Sequence, residues 1–315
     1  MTTIGSSSLD VFPLALGGNT FGWTSDEATS HAVLDAFVAG GGNFVDTADG
    51  YSSWVPGNSG GESETIIGSW FAQRDNRSDI VLGTKVSQHP DFTGLGGANV
   101  AAAADASLAR LGTDYIDLYY AHFDDASTPL EETVSAFNDL LVAGKIRAVG
   151  VSNYTAERVS EWFSIAEAKG FALPVALQPN YNLVERANYE TTLAPIVADK
   201  GLGVVPYFGL AAGFLTGKYR TAADFSKSPR GGGMAKYLDN GGLDVLAALD
   251  TVAAEHDASL ASVALAWLRS RPGVVAPIAS ARTIEQLPDL LASATLELTA
   301  EQTAALDAAS ATFSA

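Results

Sequence analysis

Eight short β-rich runs, nearly every one followed by a stretch of helical pattern, restrict this chain to very few architectures. The runs are "FPLALGG", "NFVDTA", "IVLGTKV", "YIDLYYAH", "IRAVGVSN", "VALQPNYN", "LGVVPYF" and "VVAPIAS". Each is apolar through its length, as expected of strands buried on both faces, and that pattern belongs to parallel sheets covered by helices. In "DEATSHAVLDAFVAGG" the spacing places Ala32, Val33, Ala36, Phe37 and Val38 on one apolar face, with glycines as the stop. "PLEETVSAFNDLLVAGK" opens with Pro129 and two acids, where the helix dipole favours negative charge. Eight such units predict one α/β domain over residues 1–315, a closed (β/α)8 TIM barrel. An open dinucleotide-binding sheet loses its main support, because "LGGNTFG" after the first strand lacks the G-x-G-x-x-G spacing.

Composition narrows the function. Hydrophobic residues make up 47% of the 315 and charged residues 17%, enough apolar material for one large core. No apolar stretch reaches the ~18 residues of a membrane span. No basic segment precedes the first apolar run, so a cytoplasmic protein without a secretory signal is expected. The absence of cysteine excludes disulfides, thiolate metal sites and cysteine nucleophiles. A net charge of −18 disfavours nucleic acid and anionic membranes as partners. Five of the 18 basic residues nevertheless cluster in the long Gly- and Ser-rich loop after the seventh strand, residues 208–241: Lys218, Arg220, Lys227, Arg230 and Lys236. That cluster could hold an anion, or could be a solvated loop.

Chemistry in such a barrel sits at the C-terminal ends of the strands. Reading those ends gives Asp46, with Tyr51 in the next loop, then Lys85, His122, Ser152, Asn153, Gln178 and Tyr207. Each has a structural reading of its own. Lys85 could snorkel, His122 could be a core histidine, and Ser152-Asn153 could cap the helix starting near Thr155. Together, an acid, a lysine, a tyrosine and a histidine from three consecutive strands converge on one rim. A tyrosine of pKa about 10 is a poor acid at neutral pH, and a nearby ammonium is expected to lower that value. The set makes sense as a tuned tyrosine acid with a histidine to orient a substrate oxygen.

These segments resemble the aldo-keto reductase superfamily along nearly the whole chain. "DTADGYSSW" is similar to the family's D-T-A-x-x-Y, and "GESE" to its G-x-S-E. "GTKV", "YYAHFDD", "IRAVGVSNY", "LQPNYNLVER", "GFLTGKY" and "SVALAWL" resemble later signatures. The resemblance implies a barrel that binds NADP(H), or alternatively NAD(H), under a cofactor-covering loop after strand seven, and reduces a small-molecule aldehyde or ketone. It implies Asp46, Tyr51, Lys85 and His122 as catalytic residues, Tyr51 being the proton donor. It further implies Gly18, Asn19 and Thr20 as a first cofactor turn and Ser152, Asn153 and Gln178 at the carboxamide. Tyr207 would stack on the nicotinamide, with Gly209 and Leu210 near the pyrophosphate, Lys218 as a further cofactor contact, and Ser280, Arg282 and Gln286 near the adenosine. Phe208-Gly209-Leu210 replaces the family's Ser-Pro-Leu, Ser280 stands where glycine is common, and Leu290 where asparagine is often found. Trp23, Trp54 and Phe123 are the expected substrate pocket, with Phe21, Phe92 and Phe208 as further rim aromatics. A metal is not expected, and oligomeric state is not readable. A Schiff-base lyase using Lys85 and a non-catalytic nucleotide-sensing subunit are the alternatives.

Overall fold

Period-two alternation decides which side chains enter a barrel and which face the helices. In the computed structural model, which describes residues 1–228 and 230–314, eight parallel strands form one curled sheet. A hairpin of β1 (Thr2–Thr3) and β2 (Asp10–Val11) precedes them. The barrel strands are β3 (Ala15–Gly17), β4 (Phe44–Asp46), β5 (Val81–Val86), β6 (Ile116–Ala121), β7 (Ile146–Ser152), β8 (Pro174–Gln178), β9 (Gly203–Val204) and β10 (Ile278–Ala279). Their order is β10-β3-β4-β5-β6-β7-β8-β9. A parallel bridge between Val204 and Val274, and a 2.8 Å bond from the Val275 N–H to the Val204 carbonyl, join the two edges. The barrel is therefore closed, as the eightfold alternation predicts.

Phe44, Leu118, Tyr120, Ala148 and Ala176 pack inside the ring with Ile4, Leu9 and Val11 of the hairpin, which seals the floor. Sequence reading did not find this hairpin, whose strands are two residues each. A second, larger core lies between the ring and the helices, where Val45, Leu82, Val86, Tyr119 and Val149 point outward. Gly150 makes room for the interior: a Cβ there would lie 2.4 Å from the Tyr120 ring.

The outer helices are α1 (Glu27–Ala39), α2 (Glu62–Arg74), α3 (Gly97–Leu111), α4 (Leu130–Val142), α5 (Ala156–Lys169) and α6 (Ala194–Lys200). They continue with α7 (Ala235–Leu238), α8 (Gly242–His256), α9 (Leu260–Arg269), α10 (Leu287–Ala292) and α11 (Ala300–Ala309). Asp26 caps α1 by accepting from the Thr29 N–H, and Thr155 caps α5 by accepting from the Arg158 N–H, so neither Ser152 nor Asn153 is the cap. On α1 the fully buried residues are Ser30, His31, Val33, Leu34 and Phe37, whereas Ala32, Ala36 and Val38 are half-buried. His31 thus joins the buried stripe, with its Nε2 2.9 Å from the Ser69 hydroxyl. The long segment after β9 is built of short 3-10 turns at Ala211–Thr216, Ala222–Lys227 and Gly231–Gly233 followed by α7; Pro229 lies outside the described residues.

Candidate active site

Inward parity carries polar residues up the ring to its C-terminal rim. Phe44 and Asp46, Gly83 and Lys85, and Leu118, Tyr120 and His122 alternate inward along three adjacent strands, with polar groups at the last positions. Beyond Asp46 the chain stays beside β5, through bonds from the Thr47 N–H to the Gly83 carbonyl (2.8 Å) and from the Asp49 N–H to the Lys85 carbonyl (3.0 Å). Gly50 then passes so close to the next loop that a Cβ would sit 2.6 Å from the Gln88 carbonyl. A turn closed by the Tyr51 N–H on the Ala48 carbonyl (3.2 Å) places the tyrosine at the mouth.

Lys85 is fully buried, and all three protons of its ammonium have acceptors. It donates to Asp46 Oδ2 at 2.6 Å, to the Thr47 carbonyl at 2.6 Å and to Tyr51 Oη at 3.2 Å. Asp46 Oδ1 accepts from Gln178 Nε2 at 2.8 Å. The network runs on: the Gln178 carbonyl accepts from Ser152 Oγ at 2.8 Å, Ser152 Oγ from Asn153 Nδ2 at 3.1 Å, and Asn153 Oδ1 from Tyr207 Oη at 2.7 Å. Asn153 Nδ2 also donates to the His122 carbonyl at 2.9 Å, from a left-handed backbone (φ 56°).

Burial works against the charge on Lys85, but the Asp46 carboxylate and Tyr51 hydroxyl hold its ammonium above the ordinary lysine value. Burial also raises the Tyr51 phenol, and the opposing pull of Lys85 does not overcome it. The expected net lowering is thus not found: desolvation outweighs the ammonium, and Tyr51 keeps its proton. Burial and the Lys85 charge hold His122 well below the usual histidine range, so its ring is neutral, and its Nδ1 is buried without a partner among the described residues.

A cavity of about 890 Å³ opens over this network. Asp46, Tyr51, His122, Gln178 and Tyr207 line it, with Asn19, Thr20, Gly209, Leu210, Lys218, Ser280, Arg282 and Gln286, and with Trp23, Trp54, Phe123 and Phe208. Lys85, Ser152, Asn153 and Gly18 do not reach the cavity. Lys85 and Ser152 stand behind its wall at 0% exposure, and the Gly18 carbonyl is turned to Ser63 Oγ at 2.8 Å. Phe21 is fully buried and Phe92 packs against the core, so neither lines the cavity.

The first and last barrel strands build one wall jointly. Ser280 Oγ donates to Asn19 Oδ1 at 2.7 Å, Thr20 Oγ1 to the Ala281 carbonyl at 3.3 Å and Ser25 Oγ to the Arg282 carbonyl at 3.0 Å. Gln286 Oε1 accepts from the Arg282 N–H at 2.8 Å.

The cationic loop divides in two. Arg220 is paired with Asp250 at 2.8 Å and Lys236 with Glu185 at 2.6 Å, and neither lines the cavity. Lys227 reaches the cavity but is paired with Asp224 at 2.7 Å. Among the described residues, the side-chain nitrogens of Lys218, Arg230 and Arg282 have no acidic partner, and all three face the cavity. Burial and Arg282 depress the proton affinity of Arg230, the mark of cations held close together without a counter-ion. In a protein of net charge −18 this concentration fits a polyanionic ligand.

Sequence reading missed Gly17, Thr24, Ser228, Ser259, Glu285 and Asp289, which also line the cavity. Ser259 was legible as the cap of α9, and Asp289 lies one helical turn from Gln286. The others carry no local signal.

A family model for the aldo/keto reductase family matches residues 13–311. The chain is 33% identical over 323 residues to norsolorinic acid reductase B of Aspergillus parasiticus, covering 96% of this chain and 81% of the relative. It is 35% identical over 309 residues to the uncharacterized oxidoreductase YrpG of Bacillus subtilis, covering 95% and 92%. A probable voltage-gated potassium channel subunit beta of Arabidopsis thaliana is 34% identical over 296 residues, covering 91% and 88%. With the match spanning the whole barrel and its rim, the chain belongs to the aldo/keto reductase family.

Proposed function

We propose that the protein is an NADP(H)-dependent carbonyl reductase in which Tyr51 donates the proton. The observation that supports this most is the hydrogen-bond arithmetic at Lys85. Its three donors go to Asp46, Thr47 and Tyr51, so Tyr51 accepts from the ammonium and its own O–H is left for an oxygen in the cavity. When bound, the nicotinamide supplies the hydride for the carbonyl carbon. Tyr51 protonates the carbonyl oxygen, and the phenolate that forms is stabilised by the ammonium already 3.2 Å away. Asp46 keeps Lys85 charged and positioned, and neutral His122 orients the substrate oxygen.

The residues suited to hold the cofactor are Asn19 and Thr20 beside Gly18, Gln178 backed by Ser152 and Asn153, and the Tyr207 ring. Gly209, Leu210 and Lys218 suit the pyrophosphate, and Ser280, Arg282 and Gln286 the adenosine. The three unpaired cations of the cavity match a dinucleotide carrying phosphates. A Schiff-base lyase needs a neutral, accessible amine, whereas Lys85 is buried and held as an ammonium. The potassium-channel relative favours a second reading, a nucleotide-sensing subunit with slow or no turnover. Following NADPH absorbance across a panel of aldehydes and ketones separates the two. Oxidation that depends on Tyr51 supports the reductase, and a complete blank with cofactor bound supports the sensor.

A further inference from the structure

Two residues before Tyr51 stands a buried acid to which the reaction assigns no task. Asp49 is 0% exposed, and its Oδ1 has no hydrogen-bond partner among the described residues. Its Oδ2 accepts from the Ser87 N–H at 3.3 Å, offered from a backbone with a φ of 113° that residues other than glycine rarely adopt. Burying a carboxylate with so few donors is costly, and the neutral carboxyl escapes most of that cost.

The groups facing Asp49 strengthen this preference. From α2 comes Glu64, itself 0% exposed, whose carboxylate accepts from Thr84 Oγ1 at 2.6 Å and from Arg110 Nε of α3 at 2.7 Å. Arg110 is therefore already paired. Thr47 Oγ1 donates to Ser63 Oγ at 2.8 Å, which ties the Asp49 turn to that end of α2. From β6 comes the Tyr119 hydroxyl, buried and likewise without a partner among the described residues. Lys85 of β5 meets Asp49 through its carbonyl, 3.0 Å from the Asp49 N–H, while its ammonium is taken up by Asp46, Thr47 and Tyr51. Burial first and the Glu64 charge second push the Asp49 carboxyl up to about 7.

Tyr51 hangs between two anchors. After it, Ser52 is fixed by its Oγ on the Phe21 carbonyl at 2.7 Å, with a φ of 72°. Before it, the side chain of Asp49 holds the Ser87 N–H. We propose that protonated Asp49 is a positioning residue for Tyr51: when the carboxyl ionises, repulsion from Glu64 slackens the turn at 47–51, and the new charge makes Tyr51 a weaker acid. The inference rests on the hydride-transfer reading of the site. The second effect has a definite sign, since the Asp49 charge raises the proton affinity of the Tyr51 phenol. Carbonyl reduction therefore falls as pH rises from 6 to 8. Tyr51 and His122 do not titrate in that interval, the one being held above it and the other below.

The test uses full-length protein with saturating NADPH and 4-nitrobenzaldehyde as the carbonyl probe. The parent's kcat should fall about tenfold from pH 6 to pH 8, the ratio for one group of pKa about 7 that works only when protonated. Asp49→Asn, which has no carboxyl proton to lose, should vary by less than about twofold over the same range. A merely structural role would lower both ends of the profile equally. A flat parent profile, or a tenfold fall that survives in Asp49→Asn, overturns the inference while leaving hydride transfer standing. Tryptophan fluorescence of the NADP⁺-bound protein reads the turn without turnover, because the Trp54 ring lies 6.1 Å from that of Tyr51. With Trp54→Phe to assign the signal, a step near pH 7 is expected in the parent and not in Asp49→Asn; a parent without the step overturns the positioning role, even where the variant does not fold. The step without NADPH oxidation at any pH upholds the positioning of Tyr51 and overturns the hydride-transfer reading.

Discussion

Replacing Lys85 by methionine tests the site and the fold together. The substitution keeps most of the side-chain volume and removes a charge that is 0% exposed. Asp46, 1% exposed, then keeps only the Gln178 amide at 2.8 Å, and the Thr47 carbonyl loses a donor. Breaking a buried pair from one side destabilises by about 3–5 kcal/mol, because the remaining charge has no compensation. For a chain of this length that corresponds to a fall of about 5–8 °C in Tm. Adding Asp46→Asn to Lys85→Met should recover most of this loss, since the stranded carboxylate is gone, while activity is not recovered. In the single variant Tyr51 loses the cation that most opposes its burial, so its proton affinity rises further. With Tyr51 as the proposed proton donor, any residual activity should persist to higher pH than in the parent. Differential scanning calorimetry of the parent and the single and double variants, with pH profiles of NADPH oxidation, supplies the comparison. A Lys85→Met protein as stable as the parent, or a double variant no more stable than the single, would refute the buried-pair reasoning.

Tyr51→Phe should lower kcat by about 10²–10⁴-fold, the range of general acid catalysis, with cofactor affinity retained in a fluorescence titration; a loss below tenfold removes Tyr51 as proton donor. Arg282→Ala should weaken NADPH binding by about 10–100-fold and leave NADH nearly unaffected, if its unpaired guanidinium meets a 2′-phosphate; equal losses would assign it to the shared adenosine. Asp49 is fully buried beside Glu64, and its carboxyl is pushed up to about 7, by burial first and the Glu64 charge second. A carboxyl with a raised pKa binds its proton more tightly when folded, so its contribution is intact at low pH and is lost as pH rises from about 4 towards 7. The interval corresponds to roughly 4 kcal/mol at most. Asp49→Asn should therefore raise Tm at pH 8 and not at pH 4, and equal shifts at both would rule out titration of Asp49 as the cause.

The barrel was legible because eight buried strands leave a repeating pattern that few other folds produce. The rim residues were legible because Asp46, His122 and Gln178 interrupt apolar runs at their C-terminal ends. Less legible was anything decided by contacts between distant segments. The floor hairpin has no periodic signal over two-residue strands, and its apolar residues matter only once the ring exists to receive them. Composition could not divide the cationic loop, since Arg220 and Lys236 are neutralised by Asp250 and Glu185, which lie far from them in sequence. The direction of the Tyr51 shift depends on how deeply the phenol is buried, which a list of neighbouring charges does not contain. Ser152 and Asn153 were found at the right strand end, but their hydrogen bonds turn them into the backing of the wall.

The wall shared by Asn19 and Ser280 also bears on how the protein is made. Those residues are separated by 261 positions, and their 2.7 Å bond exists only after β10 has docked against β3. Contacts of such sequence separation form late, since the ordering of a long intervening chain must come first. A nascent polypeptide halted before β10 can assemble adjacent strand–helix units, yet it has only half of this wall and no place for Arg282 beside Ser25. Ligand capture at this wall consequently requires a docked β10. During synthesis, a ligand of this cleft meets the complete wall only after β10 has been made and has docked against β3.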